Sequence, residues 1–282
     1  MTESETEATL HETPGCIAFI GGGNMAGAII GGLIRQGRTP SQIEVVEPFA
    51  QARENLRNRF GVIANELAGP SLARAGVVVW AVKPQTFKVA AAQARAFTGS
   101  ALHLSVAAGI RSGSIANWLA TERIVRSMPN TPALVGKGMT ALYARPSVTP
   151  QDRQCVEQIV ATTGDSLWVN DEKDLDAVTA LSGSGPAYVF FFLEAMTKAG
   201  VEMGLPHDQA LKLSIGTFAG ASELARASED PPELLRERVT SKGGTTYAAI
   251  TSMEQDQVAA LFGKALHAAR QRATELGDEF GS

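Results

Sequence analysis

Gly21-Gly22-Gly23-Asn24-Met25-Ala26 follows the apolar run Cys16–Ile20 without a break and opens the amphipathic stretch Ala28–Gln36. A strand, a GxGxxA turn and a helix in that order suit the diphosphate of a nicotinamide dinucleotide. Gly21 permits the tight turn, Gly23 lets the backbone approach the phosphates, and Ala26 lets the helix pack closely on the strand. Unpaired N–H groups and the positive dipole end at the helix start then face the anion. On this reading Gly21, Gly23, Asn24, Met25 and Ala26 hold the cofactor. Glu47 ends the next strand, where an acid accepts hydrogen bonds from the adenosine ribose and would repel a 2′-phosphate. Pro48 could turn that side chain outward, and Arg53, one helical turn on, could instead receive the phosphate. The choice between NADH and NADPH therefore stays open. A further strand end, Val79-Trp80-Ala81-Val82, leads into Lys83, and strand C-termini in such sheets line the ligand crevice. Lys83, with Ala81 and Val82 before it, is a cofactor candidate. Arg126 to Pro132, RSMPNTP, follows another strand with two prolines and fits either a rigid crevice loop or a structural crossover.

Thr240-Ser241-Lys242-Gly243-Gly244-Thr245-Thr246 lies between two helical segments and begins the second. Consecutive N–H groups at a helix start form a site for a small carboxylate when glycines such as Gly243 and Gly244 allow close approach and hydroxyls stand on either side. The same residues also fit a glycine turn with a threonine cap, and the sequence leaves both readings standing. Other chemistries find no arrangement. His11, His103, His207 and His267 are scattered over tail, strand, helix start and late helix, which suggests neither a metal site nor a triad. Cys16 and Cys155 have no CxxC spacing and no ligand cluster around them, and a reducing cytoplasm suits them. Ser182-Gly183-Ser184-Gly185 lacks the GxSxG spacing, and Ser241-Lys242-Gly243-Gly244 lacks the order of a P-loop. Gly183 and Gly185 instead suit close packing of a helix start beside the cofactor.

These motifs need elements to carry them, and the periodicity supplies two kinds. Short β-branched runs, Cys16–Ile20, Ile43–Val46, Val77–Val82, Leu102–Val106, Ile124–Ser127, Met139–Tyr143 and Leu167–Val169, alternate with helical segments up to Thr163. That alternation predicts an α/β fold with a doubly wound, mostly parallel sheet. After the charged run Asn170-Asp171-Glu172-Lys173-Asp174 the strand signals vanish and long Ala-rich periodic segments take over, which predicts an all-helical domain. The expected division is a loose tail over 1–14, a Rossmann-type dinucleotide domain over 15–169, and a helical substrate-binding and dimerisation domain over 170–282. Phe190, Phe191, Phe192 and Leu193 occupy every azimuth of their helix, and a helix apolar all round must be enclosed. A partner chain is expected to enclose it, the alternative being other helices of the same chain. With 25 basic against 29 acidic residues the net charge is −4, so no global field attracts nucleic acid or an anionic membrane. Tyr188 to Met196, the most apolar stretch, is far too short to span a bilayer.

Five segments in order, GGGNMAGAI, AVKPQ, RSMPNTP, LSGSGPAY and PELLRERVTSKGGTTYAAITSME (Pro232 to Glu254), resemble the pyrroline-5-carboxylate reductases. The resemblance implies reduction of the cyclic imine 1-pyrroline-5-carboxylate to proline, the last step of proline biosynthesis, with NADPH or NADH as hydride donor. It implies that Gly244 and Thr245 offer backbone N–H groups to the substrate carboxylate beside Gly243, with Ser241 nearby. Thr246 would place its hydroxyl against the ring nitrogen. Lys83 and Pro84, with Asn65 in the preceding segment, would contact the cofactor. Lys242 departs from the family, many members of which have proline there. Such enzymes dimerise through interlocked helices and often assemble further as decamers. The β-hydroxyacid dehydrogenases, a rival of related architecture, rely on a lysine shortly after their junction glycines, and none occurs between Gly183 and Thr197.

Overall fold

Strands that are apolar at successive positions must be covered on both faces, and here helices cover them. The computed structural model describes residues 15–280, so the expected tail over 1–14 and His11 within it lie outside the described residues. Its strands are β1 (Ile17–Ile20), β2 (Ile43–Val46), β3 (Ala64–Asn65), β4 (Val77–Trp80), β5 (Leu102–Ser105), β6 (Ile124–Met128), β7 (Gly138–Ala144) and β8 (Gly164–Trp168). They form one sheet in the order β3-β2-β1-β4-β5-β6-β7-β8, parallel throughout except that β7 runs against β6. The chain winds outward from β1 through β2 to β3, then crosses to β4 and winds the other way. The C-terminal ends of β1 and β4 therefore bound the point where the winding reverses, the crevice in which such sheets bind ligands.

The helices are α1 (Asn24–Arg35), α2 (Ala50–Phe60), α3 (Pro84–Thr98), α4 (Ser112–Leu119), α5 (Pro150–Val160), α6 (Asp174–Val178), α7 (Gly185–Glu202), α8 (His207–Ala227), α9 (Pro232–Arg238), α10 (Thr245–Gln255) and α11 (Val258–Phe280). Alternate strand residues feed two cores. Ile17, Phe19, Val45, Val79 and Leu104 meet Ile30 and Leu33 of α1 on one face; Ala18, Ile20, Val78 and Trp80 meet Phe87 of α3 and Ile115 of α4 on the other. Burying each large side chain such as Phe19 or Phe87 contributes roughly 2–3 kcal/mol.

Three local departures from the sequence reading have physical causes. β3 is only two residues long, too short for an alternation to register. α5 stops at Val160 rather than Thr163, because the hydroxyls of Thr162 and Thr163 donate back to the carbonyls of Ile159 and Val160 at 2.7 and 2.8 Å. Within the region expected to be regular helix after Asp174, Thr179–Gly183 forms a π-helical turn.

The chain divides into two compact units, one running to Gly183 and resuming at Arg270, the other Ser184–Ala269. α11 thus starts in the second unit and ends in the first. In the first, a Cβ on Gly109 would stand 3.2 Å from Leu276, and Arg111 bonds Asp278 at 3.0 Å, which fastens the end of α11 beside α4. The charged run after Val169 is also fastened there. Glu172 accepts from the Ser112 N–H, the Ser112 hydroxyl and the Arg126 guanidinium, each at 2.6 Å, and so caps α4 from sixty residues away. Burial opposes its charge, but the Ser112 hydrogen bonds and Arg126 hold its carboxyl below the usual glutamate range. In the second unit α7 and α8 form an antiparallel pair that meets where Gly200 faces Ala210; a Cβ on Gly200 would lie 2.9 Å from that of Ala210.

His103 on β5 is 1% exposed and accepts a hydrogen bond from the Trp80 indole at 2.9 Å. Burial pushes its pKa down to about 4. Above the unfolded value near 6.5 it is neutral in both states and costs nothing; as pH falls from there towards 4, the unfolded chain takes up a proton that folded His103 refuses. We expect this residue to remove about 3 kcal/mol of stability over that window. Urea melts across the window should show a slope that flattens in His103→Gln; equal slopes in the two proteins would contradict the assignment.

Candidate active site

Three consecutive glycines open the turn after β1, and each meets a different neighbourhood. Gly21 has φ +96°, and a Cβ there would stand 2.5 Å from the Ala81 carbonyl oxygen. Gly22 would put a Cβ 2.7 Å from Leu56 and 3.3 Å from the Glu47 carboxylate. At Gly23 nothing of the protein lies within 4 Å of where a Cβ would be. Two of the glycines are therefore demanded by the fold, and the third keeps space clear. α1 begins directly after it at Asn24, with Gly23 at its N-cap and no side chain bonding the first-turn N–H groups. Free donors beside cleared space fit a diphosphate, and Ala26, fully buried, sets α1 against the sheet.

The other expected cofactor contacts cluster around this turn. The Gly21 N–H donates to Val46 O and the Ala81 N–H to Ile20 O, both at 2.8 Å, which ties the ends of β2, β1 and β4 together. Asn65 lies across from Val46, its carbonyl accepting from the Glu47 N–H at 2.8 Å and its side chain reaching Glu44 at 3.4 Å. Ala81 and Val82 are half-buried; Lys83 is exposed as the N-cap of α3, with Pro84 as the first helical residue. RSMPNTP acts structurally where its contacts are visible. The Asn130 amide donates to Ser182 O and Oγ at 3.3 and 3.2 Å while its oxygen accepts from the Met139 N–H at 2.9 Å. Gly183 packs against Met128.

In the second unit α10 starts at Thr245 behind Gly243, whose φ of +77° favours glycine, and Gly244, whose extended backbone forms the N-cap. The Gly244 N–H closes a turn onto Ser241 O at 3.0 Å, and a Cβ on Gly244 would stand 2.8 Å from Ser241 Oγ. This corrects the expectation for Gly244. Its N–H is spent within the turn, so the donors without a helical carbonyl are those of Thr245, Thr246 and Tyr247. Thr246 is half-buried and Ser241 exposed. The glycine turn is present, with Gly244 rather than a threonine at the N-cap of α10. α7 carries Phe190 and Phe191 at 57% and 66% exposed, and the same chain does not enclose them. Phe190 borders an open, mainly apolar groove of about 880 Å³ between α7 and α8.

Among the described residues no group of three His, Cys, Asp or Glu side chains is placed to hold a metal, and no helix is long and apolar enough to cross a membrane. Residues 172–276 match the pyrroline-5-carboxylate reductase dimerisation family, and residues 16–109 match the NADP oxidoreductase, coenzyme F420-dependent, family. A pyrroline-5-carboxylate reductase of Pseudomonas aeruginosa is 45% identical over 267 residues, 94% of this chain and 98% of that one. The chain belongs to the pyrroline-5-carboxylate reductase family. Reductase structures agree in fold. One from Coxiella burnetii superposes with a TM-score of 0.87 at 38% identity, covering 94% of this chain and 99% of its own. One from Plasmodium falciparum, with NADP bound, gives 0.83 at 27% identity, over 94% and 99%. For a reductase built this way, sequence reasoning missed that Gly22 is dictated by Glu47 and Leu56, because the GxGxxA pattern leaves that position free.

The glycines make a paired test. Gly21→Ala should cost roughly 3 kcal/mol of stability, from the strained φ and the clash with Ala81. Gly23→Ala should leave the melting temperature nearly unchanged and weaken NADH and NADPH binding at least tenfold. Thermal melts beside dinucleotide titrations decide it, and undiminished binding by Gly23→Ala would refute the diphosphate assignment.

Proposed function

We propose that the chain reduces the C=N bond of 1-pyrroline-5-carboxylate to give L-proline, the last step of proline biosynthesis, using NADH or NADPH. The observation that carries this reading is the pair of uncapped helix starts, α1 in the first unit and α10 in the second. Both ligands are anions, a diphosphate and a carboxylate, and each start offers free N–H groups to one of them. The reading is supported by relatives named for this reaction over almost the whole chain.

The bound dinucleotide supplies hydride. The chain's own residues hold the reactants. Gly21, Gly23, Asn24, Met25 and Ala26 form the diphosphate turn, with Asn65, Ala81, Val82, Lys83 and Pro84 bordering the cofactor. Thr245 and Thr246 donate backbone N–H groups to the substrate carboxylate; Gly243 and Gly244 let it approach, and Ser241 adds its hydroxyl. The Thr246 hydroxyl binds the ring nitrogen. No strong acid is needed, because the imine nitrogen carries its proton into the product amine. Orientation is then the main contribution of the protein.

We read residues 15–169 as the dinucleotide-binding part and 170–282 as the substrate-binding and dimerising part, acting in the cytoplasm, where the two free cysteines stay reduced. The protein works as a homodimer, with association to decamers as the family resemblance implies. The match to a dimerisation family and the exposed phenylalanines of α7 support the dimer.

The direct test follows NADH and NADPH oxidation with 1-pyrroline-5-carboxylate, run beside a hydroxyacid. Turnover of the hydroxyacid alone would overturn the proposal. Thr246→Ala should lower kcat/KM about 100-fold, the scale of a hydrogen bond made in the transition state, and leave NADPH affinity intact. Sedimentation of the wild type at low micromolar concentration should give a dimer or larger, and Phe191→Glu should shift it towards monomer; a stable wild-type monomer would remove the dimer.

A further inference from the structure

Two residues compete for the ribose end of the cofactor, and the structure separates them. Glu47 turns inward despite Pro48 and is 5% exposed. Its Oε2 accepts from the Gly22 N–H at 2.7 Å and its Oε1 from the Phe49 N–H at 2.9 Å. Each carboxylate oxygen has two acceptor directions, so each keeps one, a pair suited to two neighbouring ribose hydroxyls. The carboxylate cannot swing aside without leaving two backbone donors unpaired. Gly22 exists to let it in, since any side chain there would meet Leu56 and the Glu47 carboxylate.

Arg53, the alternative phosphate receptor, is already engaged. Its Nη1 donates to the carbonyls of Glu47 and Pro48 at 2.9 and 2.8 Å, and its Nη2 bonds Glu66 at 3.1 Å. Of the other nearby cations, Arg74 pairs with Glu44, and Arg59 lies over the Phe60 ring at 4.8 Å. Arg53 pairs with Glu66 and Arg74 with Glu44, while the Glu47 carboxylate is held by two backbone N–H groups instead of a cation.

The geometry points to NADH as the preferred reductant, with Glu47 as the residue that sets the preference. This rests on the reading of Gly21–Ala26 as the dinucleotide turn. It distinguishes the chain from the Plasmodium falciparum relative, whose structure holds NADP. A 2′-phosphate would meet a fixed carboxylate beside an Arg53 already bonded to two carbonyls and Glu66, whereas a 2′-hydroxyl would donate to that carboxylate.

The test is calorimetric titration of the full chain with NADH and NADPH, and with ADP-ribose and its 2′-phosphate. NADH should bind at least tenfold tighter than NADPH, and the ADP-ribose pair should differ by a similar factor. Glu47→Ser should shrink that ratio at least tenfold. If this variant fails to fold, the wild-type ADP-ribose pair carries the decision alone. Equal or tighter NADPH binding by the wild type would overturn the inference while leaving the cofactor site standing. Failure of both dinucleotides to bind would overturn the site as well as the preference.

Discussion

The turn at Gly21 is the constraint on which everything else in the first unit rests. With φ at +96° and the Ala81 carbonyl 2.5 Å from any Cβ, the chain can leave β1 at that point only through a residue without a side chain. Because it turns there, Gly21 can bond Val46 while Ala81 bonds Ile20, and the ends of three strands are locked side by side. α1 must then start at Asn24, where its free donors stand beside the space that Gly23 leaves clear. Glu47 belongs to the same knot, since its carboxylate is held by the N–H of Gly22 one residue on. On the proposed reading, phosphate binding and ribose recognition are consequences of one backbone geometry rather than separate sites.

The reaction asks for little else. Its two ligands are anionic and the protein is itself net negative, so attraction cannot come from the overall field. On the proposed reading helix starts supply it locally, from backbone groups that carry no charge to neutralise and no pKa to tune. This explains why the titratable groups with clear roles do structural work. Glu172 caps α4 and pairs with Arg126, Asp152 pairs with Arg123, and His103 stays neutral against Trp80. A reduction whose proton stays on nitrogen leaves them free for that.

What was legible in the sequence follows the range of the interactions involved. The doubly wound, mostly parallel sheet and the strand-turn-helix at Gly21–Ala26 are written in local periodicity and glycine spacing, and the structure has them. Contacts distant along the chain were not legible. Glu172 stood in the charged run where the strand signals end and the second domain was expected to begin, yet it reaches Ser112 and Arg126. Arg53 looked available for a phosphate, but two carbonyls and Glu66 occupy it, and only the folded path of the chain after β2 brings them there. At the substrate motif the residue types were readable and the donor inventory was not. Whether the Gly244 N–H faces outward or closes on Ser241 depends on a single turn geometry that Gly243 makes available without announcing it.

The second unit raises a different question, because within one chain it has almost no core. Between Ser184 and Ala269 the buried residues are Thr197, Gly200, Ala210 and Ser214, all small. At about 25 cal/mol per Å² such burial cannot offset the ordering of so many helical residues. Meanwhile Phe191, Leu213, Leu224 and Leu261 remain exposed. The helices therefore depend on a partner chain for their stability as well as their assembly, and their folding is coupled to protomer concentration. α10 belongs to this unit, so the N–H groups and hydroxyl at Thr245 and Thr246 are held only as firmly as that association holds the helices around them. Dissociation would then abolish turnover without blocking any pocket, by loosening the proposed carboxylate site, while the turn at Gly21–Ala26, anchored through buried Gly21 and Ala26 to the complete core of the first unit, would keep its shape.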